Sequence, residues 1–162
     1  MFPKNFLFKT KADTLKQLVK LVEQSKIEKI YVFTVEEWQS SQTTILKYIS
    51  NNFNKKIIVR SSAVGEDSAT SSEAGSYESI LNVNASSKRE ISNAINSVIS
   101  SYKIKNNRNN QNQILIQSQT LNIVISGVVF TRTPDVGSPY FVINFEEGKL
   151  TTGVTKGSIG NT

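Results

Sequence analysis

The stretch Ile57-Ile58-Val59-Arg60-Ser61-Ser62-Ala63, followed by Gly65-Glu66-Asp67-Ser68 and by Ala74-Gly75-Ser76-Tyr77-Glu78-Ser79-Ile80-Leu81-Asn82-Val83, decides how this chain is read. A β-branched apolar run that ends on an Arg and opens into small polar residues and glycines describes a buried strand giving way to a loop. Backbone with little side-chain bulk can approach a phosphate closely, so the pattern points to an anionic ligand. Arg60 is the first candidate contact, because a guanidinium stays charged at neutral pH and its planar fork can hold two phosphate oxygens at once. The alternative for Arg60 is a loop ion pair with Glu66 or Asp67.

Outward from this strand the elements alternate. Asp13-Thr14 followed by Leu15, Leu18, Val19 and Val22 predicts a helix from about 12 to 25, capped by Asp13 or Thr14. Ile30 to Thr34 reads as a short buried strand, being uninterrupted, β-branched and aromatic. Val35, Trp38, Ile45, Leu46 and Ile49 predict a second helix, broken near Ser40-Ser41. The clearest amphipathic helix lies between Ser86 and Tyr102, carried by Ile91, Ala94, Ile95, Val98 and Ile99 with Ser86 or Ser87 as N-cap. Asn106 to Asn112 offers nothing to bury and reads as a weakly ordered, solvated loop. Ile114-Leu115-Ile116, Ile123 to Val129 and Tyr140 to Phe145 read as strands, separated by the Pro134-Asp135-Val136-Gly137 turn and by Glu147-Gly148. The fold class is α+β, with a mixed or antiparallel sheet and flanking helices. The tail from Gly153 to Thr162 has no apolar face and is expected to fray.

Composition narrows the chemistry. With 162 residues, 38% of them hydrophobic, the chain can bury one sizeable core or two small packed lobes. It has no Cys and no His, which excludes disulfides, thiolate or imidazole metal sites and a phosphohistidine. No apolar run approaches the ~20 residues of a membrane span, so a soluble, cytoplasmic protein is expected. The net charge of +6 suits a nucleotide, and equally a chain rich in Lys by habit. Its cations cluster at Lys4, Lys9, Lys11 and Lys16 and at Lys103, Lys105 and Arg108, without interleaved aromatics, which argues against nucleic acid.

The Val59-to-Ala63 segment and its acidic, Gly-containing continuation resemble the Val-Arg-Ser-Ser-Ala motif in the nucleotide-binding domain of phosphoenolpyruvate synthase and pyruvate phosphate dikinase, a branch of the ATP-grasp superfamily. Ser126-Gly127-Val128-Val129-Phe130-Thr131-Arg132-Thr133-Pro134 resembles the Ser-Gly-Val-x-Phe-Thr-Arg-Asp-Pro segment of the same proteins, with Thr133 in place of Asp. The two motifs stand in the expected order. The resemblance covers residues 57 to 83 and 113 to 145 well, and 9 to 34 weakly.

What the resemblance implies is an ATP-grasp-like N-terminal lobe that binds ATP as part of a phosphotransferase (kinase). Arg60 matches the family's phosphate-contacting Arg. Lys11, in Lys9-Thr10-Lys11-Ala12, matches the Lys of the family's Gly-Gly-Lys-Gly segment, although the flanking glycines are missing. Independently, a Lys at a helix N-terminus opposes the helix dipole unless an anion is shared there; an ordinary solvated lysine is the alternative. Ser61, Ser62 and Gly75 belong to a loop, Ser61 to Ser76, whose hydroxyls could fold over a phosphate tail and whose Gly75 permits a left-handed turn. A flexible Ser-rich surface loop is the plainer reading. Gln117 and Gln119 occupy the family's adenine-binding hinge, with Gln119 and Thr120 replacing its usual acidic and apolar residues; a solvent-facing strand end is the alternative.

Other polar residues are assigned to structure. Arg132 is read as pinning the Pro134-to-Gly137 turn, and Glu146 and Glu147 as a solvated hairpin rather than Mg²⁺ ligands, since strand neighbours point to opposite faces. The resemblance places the Mg²⁺-binding carboxylates in a later segment, so Mg²⁺ is expected only with that missing lobe. Residues 1–162 are thus expected to form a partial ATP-grasp domain without catalytic residues of its own, inactive as this chain alone and completed by a C-terminal lobe or other domains of a parent protein. Two other readings stand beside this one: a degenerate, non-catalytic interaction or regulatory module of the same fold, and a basic polyanion binder.

Overall fold

The computed structural model describes residues 9–65, 77–105 and 107–147. The chain divides into two compact units between Gln119 and Thr120. The first contains α1 (Lys11–Leu18), β1 (Ile30–Thr34), α2 (Val35–Asn52), β2 (Lys56–Ser62), β3 (Ser79–Asn84), α3 (Lys88–Ile104) and β4 (Gln113–Ser118). The second contains β5 (Ile125–Phe130) and β6 (Val142–Glu147).

In the first unit the strands form one antiparallel sheet in the order β1-β4-β2-β3. Since β4 runs against both β1 and β2, β1 is parallel to β2, and β3 by the same reasoning is parallel to β4. Each parallel pair is joined through a helix that crosses the strand lying between them. The result is two interleaved β-α-β units.

Both crossover helices cover the same face of the sheet. Phe33, Ile57, Val59, Val83, Ile114 and Ile116 project into one core with Trp38, Ile45 and Ile49 of α2 and Ile91, Ile95, Val98 and Tyr102 of α3. Burying each such large apolar side chain contributes about 1.5–3 kcal/mol, which is why the alternation along β2 and β4 sets their register. The helices are cut to length by their ends. Thr34 Oγ1 accepts from Glu37 N at 3.1 Å while Glu37 Oε2 accepts from Thr34 N at 2.7 Å, a reciprocal cap on α2. Ser87 Oγ accepts from Glu90 N and starts α3. The expected break in α2 is present at Ser41 (φ −140°, ψ 34°), one residue after Ser40 turns its hydroxyl onto the carbonyls of Glu36 and Glu37.

Several expectations need correction. The first helix ends at Leu18 rather than near 25: Lys20 and Leu21 donate to Gln17 and Leu18 three residues back, and Val19 and Leu21 are left exposed. Its cap is Thr10, whose Oγ1 accepts from Asp13 N at 3.2 Å, so Asp13 sits inside the first turn. The Asn-rich segment is not simply solvated. Asn112 is fully buried; its Oδ1 accepts from Val64 N at 2.9 Å and its Nδ2 donates to the carbonyl of Asn107 at 3.0 Å, so the amide satisfies backbone that the core would otherwise strand. β3 was not singled out by periodicity. It pairs with β2 through a register irregularity at which Asn82 takes φ 61°.

The second unit is an antiparallel β5–β6 ribbon. In its connection Gly137 takes φ 68° and donates its N–H to Thr133 O at 2.9 Å, while Arg132 Nη1 donates to Gly137 O at 2.9 Å. The Thr133 hydroxyl accepts from Ser138 N, so the residue that departs from the family pattern serves this turn. Glu146 and Glu147 lie within the ladder of this ribbon, with Ser126 opposite Glu146 and Ile125 opposite Glu147; Glu147 is exposed, whereas Glu146 is half-buried with its Oε2 shielded from solvent. The expected roles of Gly148 and the 153–162 tail lie outside the described residues.

Candidate functional site

Opposite the helix-covered face, β2 and β4 present a second row of side chains. Antiparallel pairing aligns Ile58 with Gln117, Arg60 with Leu115, and Ser62 with Gln113, and these pairs point away from α2 and α3. α1 packs against β4 on this side, burying Leu115 and Ala12. The short helix therefore delivers its N-terminus to the end of β2 where Arg60 lies.

The attachment of α1 is polar. Ser62 Oγ accepts from Ala12 N at 2.9 Å and donates to Gln113 Oε1 at 3.3 Å. Thr10 Oγ1 donates to the same Gln113 oxygen at 2.6 Å, and Gln113 Nε2 donates to Asp13 Oδ2 at 3.2 Å. Two of the first-turn amides, those of Ala12 and Asp13, are thus met by side-chain oxygens. Burial pushes the Asp13 carboxyl up, but its contacts with Gln113 and Thr10 and the nearby Lys16 ammonium outweigh it, holding it below the usual carboxylate value.

Lys11, the first helical residue, reaches back with Nζ to Ser61 O at 3.4 Å. Arg60 Nη1 donates to Gln117 Oε1 at 3.3 Å across the β2–β4 pair. Two cations 49 positions apart in sequence are consequently anchored near the end of β2, Lys11 at the carbonyl of the residue after Arg60 and Arg60 turned toward Gln117 on the same sheet face. Ser61 belongs to the other row; it is 1% exposed and pairs with Ile114 on the helix-covered side, so its carbonyl rather than its hydroxyl faces Lys11. Ser62 is fully buried with its hydroxyl engaged by Ala12 and Gln113. Gln119 lies at the far end of β4, where its Oε1 accepts from Asn82 N at 2.7 Å and its Nε2 donates to Asn82 Oδ1 at 2.9 Å. It braces the β3 irregularity and is not gathered with Lys11 and Arg60. Gly75, Glu66 and Asp67 lie outside the described residues.

Sequence reading missed the residues that hold this arrangement together: Thr10, Gln113 and Tyr102. Tyr102, from α3, places its hydroxyl between Ser62 N (2.9 Å) and Gln113 O (2.6 Å). A signal for Gln113 exists, since Gln113, Leu115 and Gln117 alternate with Ile114 and Ile116, marking polar side chains on a strand whose other face is core. A groove between β3 and α3, lined by Ile80, Asn93, Asn96, Ser97 and Ile104, contains none of the candidate residues. Among the described residues no three Asp, Glu, His or Cys side chains converge as metal ligands, and no helix is long and apolar enough to cross a membrane.

No curated protein matches the chain. The family model of the AMP/ATP-binding domain of pyruvate phosphate dikinase matches residues 8–161, a span that takes in both units and both recognised motifs. With three helices and antiparallel sheets in an ATP-grasp-like arrangement, and with that match over nearly its whole length, the chain belongs to the pyruvate phosphate dikinase AMP/ATP-binding domain family, whose role is to bind nucleotide.

Proposed function

We propose that the first unit is the phosphate-holding half of an ATP site in a phosphotransferase of the phosphoenolpyruvate synthase and pyruvate phosphate dikinase type, with Lys11 and Arg60 as its cations. The observation that carries this reading is the convergence of Lys11 on Ser61 O, the residue next to Arg60, at the end of β2. Lys11 supplies a mobile point charge and Arg60 a fixed fork, which together suit the spread negative charge of a polyphosphate. Gln117, held by Arg60, offers an amide on the same face toward the nucleotide. Mg²⁺ needs only one or two carboxylates together with the phosphates, and on this reading those carboxylates belong to a further lobe. Any transfer of phosphate requires carboxylates and an acceptor beyond those described, so the role of these residues is to bind and orient the phosphates.

One observation favours a second reading, a module that keeps the fold without the ligand. The first turn of α1 lacks the family's glycines and already spends the Ala12 and Asp13 amides on Ser62 and Thr10, so no backbone cradle is open at those two positions. Calorimetric titration of ATP, with and without Mg²⁺, into the wild type, Arg60→Ala and Lys11→Met separates the two. Saturable binding that prefers adenine nucleotides and weakens by about tenfold or more in each variant supports the site. Folded wild-type protein that takes up no ATP, or an Arg60→Ala variant that binds as well as the wild type, refutes it.

A further inference from the structure

We propose that Gln113 is a positioning residue for Lys11, holding the ammonium at the carbonyl of Ser61, the residue after Arg60; the inference rests on the phosphate-holding role proposed above. α1 has eight residues, and Ala12 is its only buried one. A helix this short is marginal in water, so its start must be fixed by attachment to the sheet. That attachment passes through one carboxamide. Gln113 Oε1 accepts from both Thr10 and Ser62, and its Nε2 donates to Asp13, which leaves the amide a single orientation consistent with all three partners. Thr10 and Ala12, the residues on either side of Lys11, are thereby tied to Gln113, directly at Thr10 and through the Ser62 hydroxyl at Ala12. Gln113 itself does not move freely, because its carbonyl takes the hydroxyl of Tyr102, a buried core residue of α3.

Lys11 has four rotatable side-chain bonds, and a long cation binds phosphate tightly only if its backbone is already in place. Gln113 meets that condition without touching the ligand. Its loss should therefore act through Lys11 rather than add to the loss of Lys11.

The test is ATP titration into wild type, Gln113→Met, Lys11→Met and the double variant, with thermal melts alongside. Gln113→Met preserves length and net charge while removing the three contacts, and the expected result is about a tenfold loss of affinity that disappears in the Lys11→Met background. A second set covers the case in which Gln113→Met fails to fold. Gln113→Glu sets a carboxylate against Asp13 and should weaken binding, whereas Asp13→Asn/Gln113→Glu reverses the polarity of that contact and should restore affinity to within about threefold of wild type. Gln113→Met with wild-type affinity, losses from Gln113→Met and Lys11→Met that simply multiply, or a swap variant as weak as Gln113→Glu would each overturn the proposal. Failure of wild type to bind ATP would instead refute the underlying site.

Discussion

Replacing Tyr102 by Phe keeps the ring and removes only the hydroxyl, which in this fold stands between the last register partners of β2 and β4. It accepts from Ser62 N at 2.9 Å and donates to Gln113 O at 2.6 Å, and Ser62 faces Gln113 in the pairing. The ring itself is 2% exposed and meets Tyr77 edge-on at 5.3 Å, so the apolar contribution survives the change. What is lost is a partner for one donor and one acceptor at the fully buried Ser62 end of the ladder. Each unmet buried group costs about 1–3 kcal/mol, and some closure of the strand ends is available, so the sum should fall at about 2–4 kcal/mol. For a unit of this size that corresponds to a melting temperature lowered by about 10 °C. The assay is equilibrium urea unfolding followed by the fluorescence of Trp38, the chain's only Trp, which lies in the same core as Tyr102. A Tyr102→Phe variant within about 0.5 kcal/mol of wild type would refute the reasoning, because it would mean that Ser62 N and Gln113 O satisfy each other without the hydroxyl.

Two further outcomes test other parts of the structure. The Asp13 carboxyl titrates lower in the folded chain than in the unfolded one, so its stabilising contribution is fully present above the unfolded value and is lost as pH falls through the folded one. The stability difference between wild type and Asp13→Asn should accordingly shrink as pH falls below the ordinary carboxylate value, and pH profiles that stay parallel under acid would show that the folded contacts do not favour the carboxylate. In the second unit, a Cβ at Gly127 would collide with the Asn144 carbonyl oxygen and press on Phe145 at 3.2 Å. Gly127→Ala should therefore separate β5 from β6 and abolish amide exchange protection along the ribbon, a two-stranded structure with little stability to spare. Wild-type protection in the variant would show that the ribbon can shift to admit the methyl group.

The apolar periodicity of α3 and the β-branched run of β2 were legible because burial enforces them; the structure buries the residues that the spacing picked out, from Ile91 to Val98. α1 was overextended for the same reason in reverse. Val19 and Val22 carry the helical spacing, yet Val19 is exposed and Val22 is only half-buried, and periodicity cannot report what stands opposite a side chain. The buried Asn112 was invisible since composition argues that a run of Asn, Gln and Arg belongs in water, whereas one amide among them closes the backbone of Val64 and Asn107. Of the candidate residues that motif and charge point to, Arg60, Ser62 and Gln117 share one sheet face and Lys11 sits on the helix packed against it. The contacts that hold α1 to that face span about a hundred residues, as from Thr10 and Asp13 to Gln113, and no local pattern encodes a partner at that distance.

The core and the candidate site are nonetheless specified by the same feature of β2. Ile57, Val59 and Ser61 face α2 and α3, while Ile58, Arg60 and Ser62 face the other way. A one-residue slip of β2 against β4 would exchange the two rows. It would expel Ile57 and Val59 from the core and drive the Arg60 guanidinium into it, where an unpaired charge costs several kcal/mol. The alternation that builds the core thus also excludes the register in which Arg60 faces the helices. The cation needs no separate interaction to choose its side of the sheet. Only its partner, Lys11, depends on the polar contacts at Gln113, which divides the site into one cation fixed by the fold and one fixed by a hydrogen-bond network.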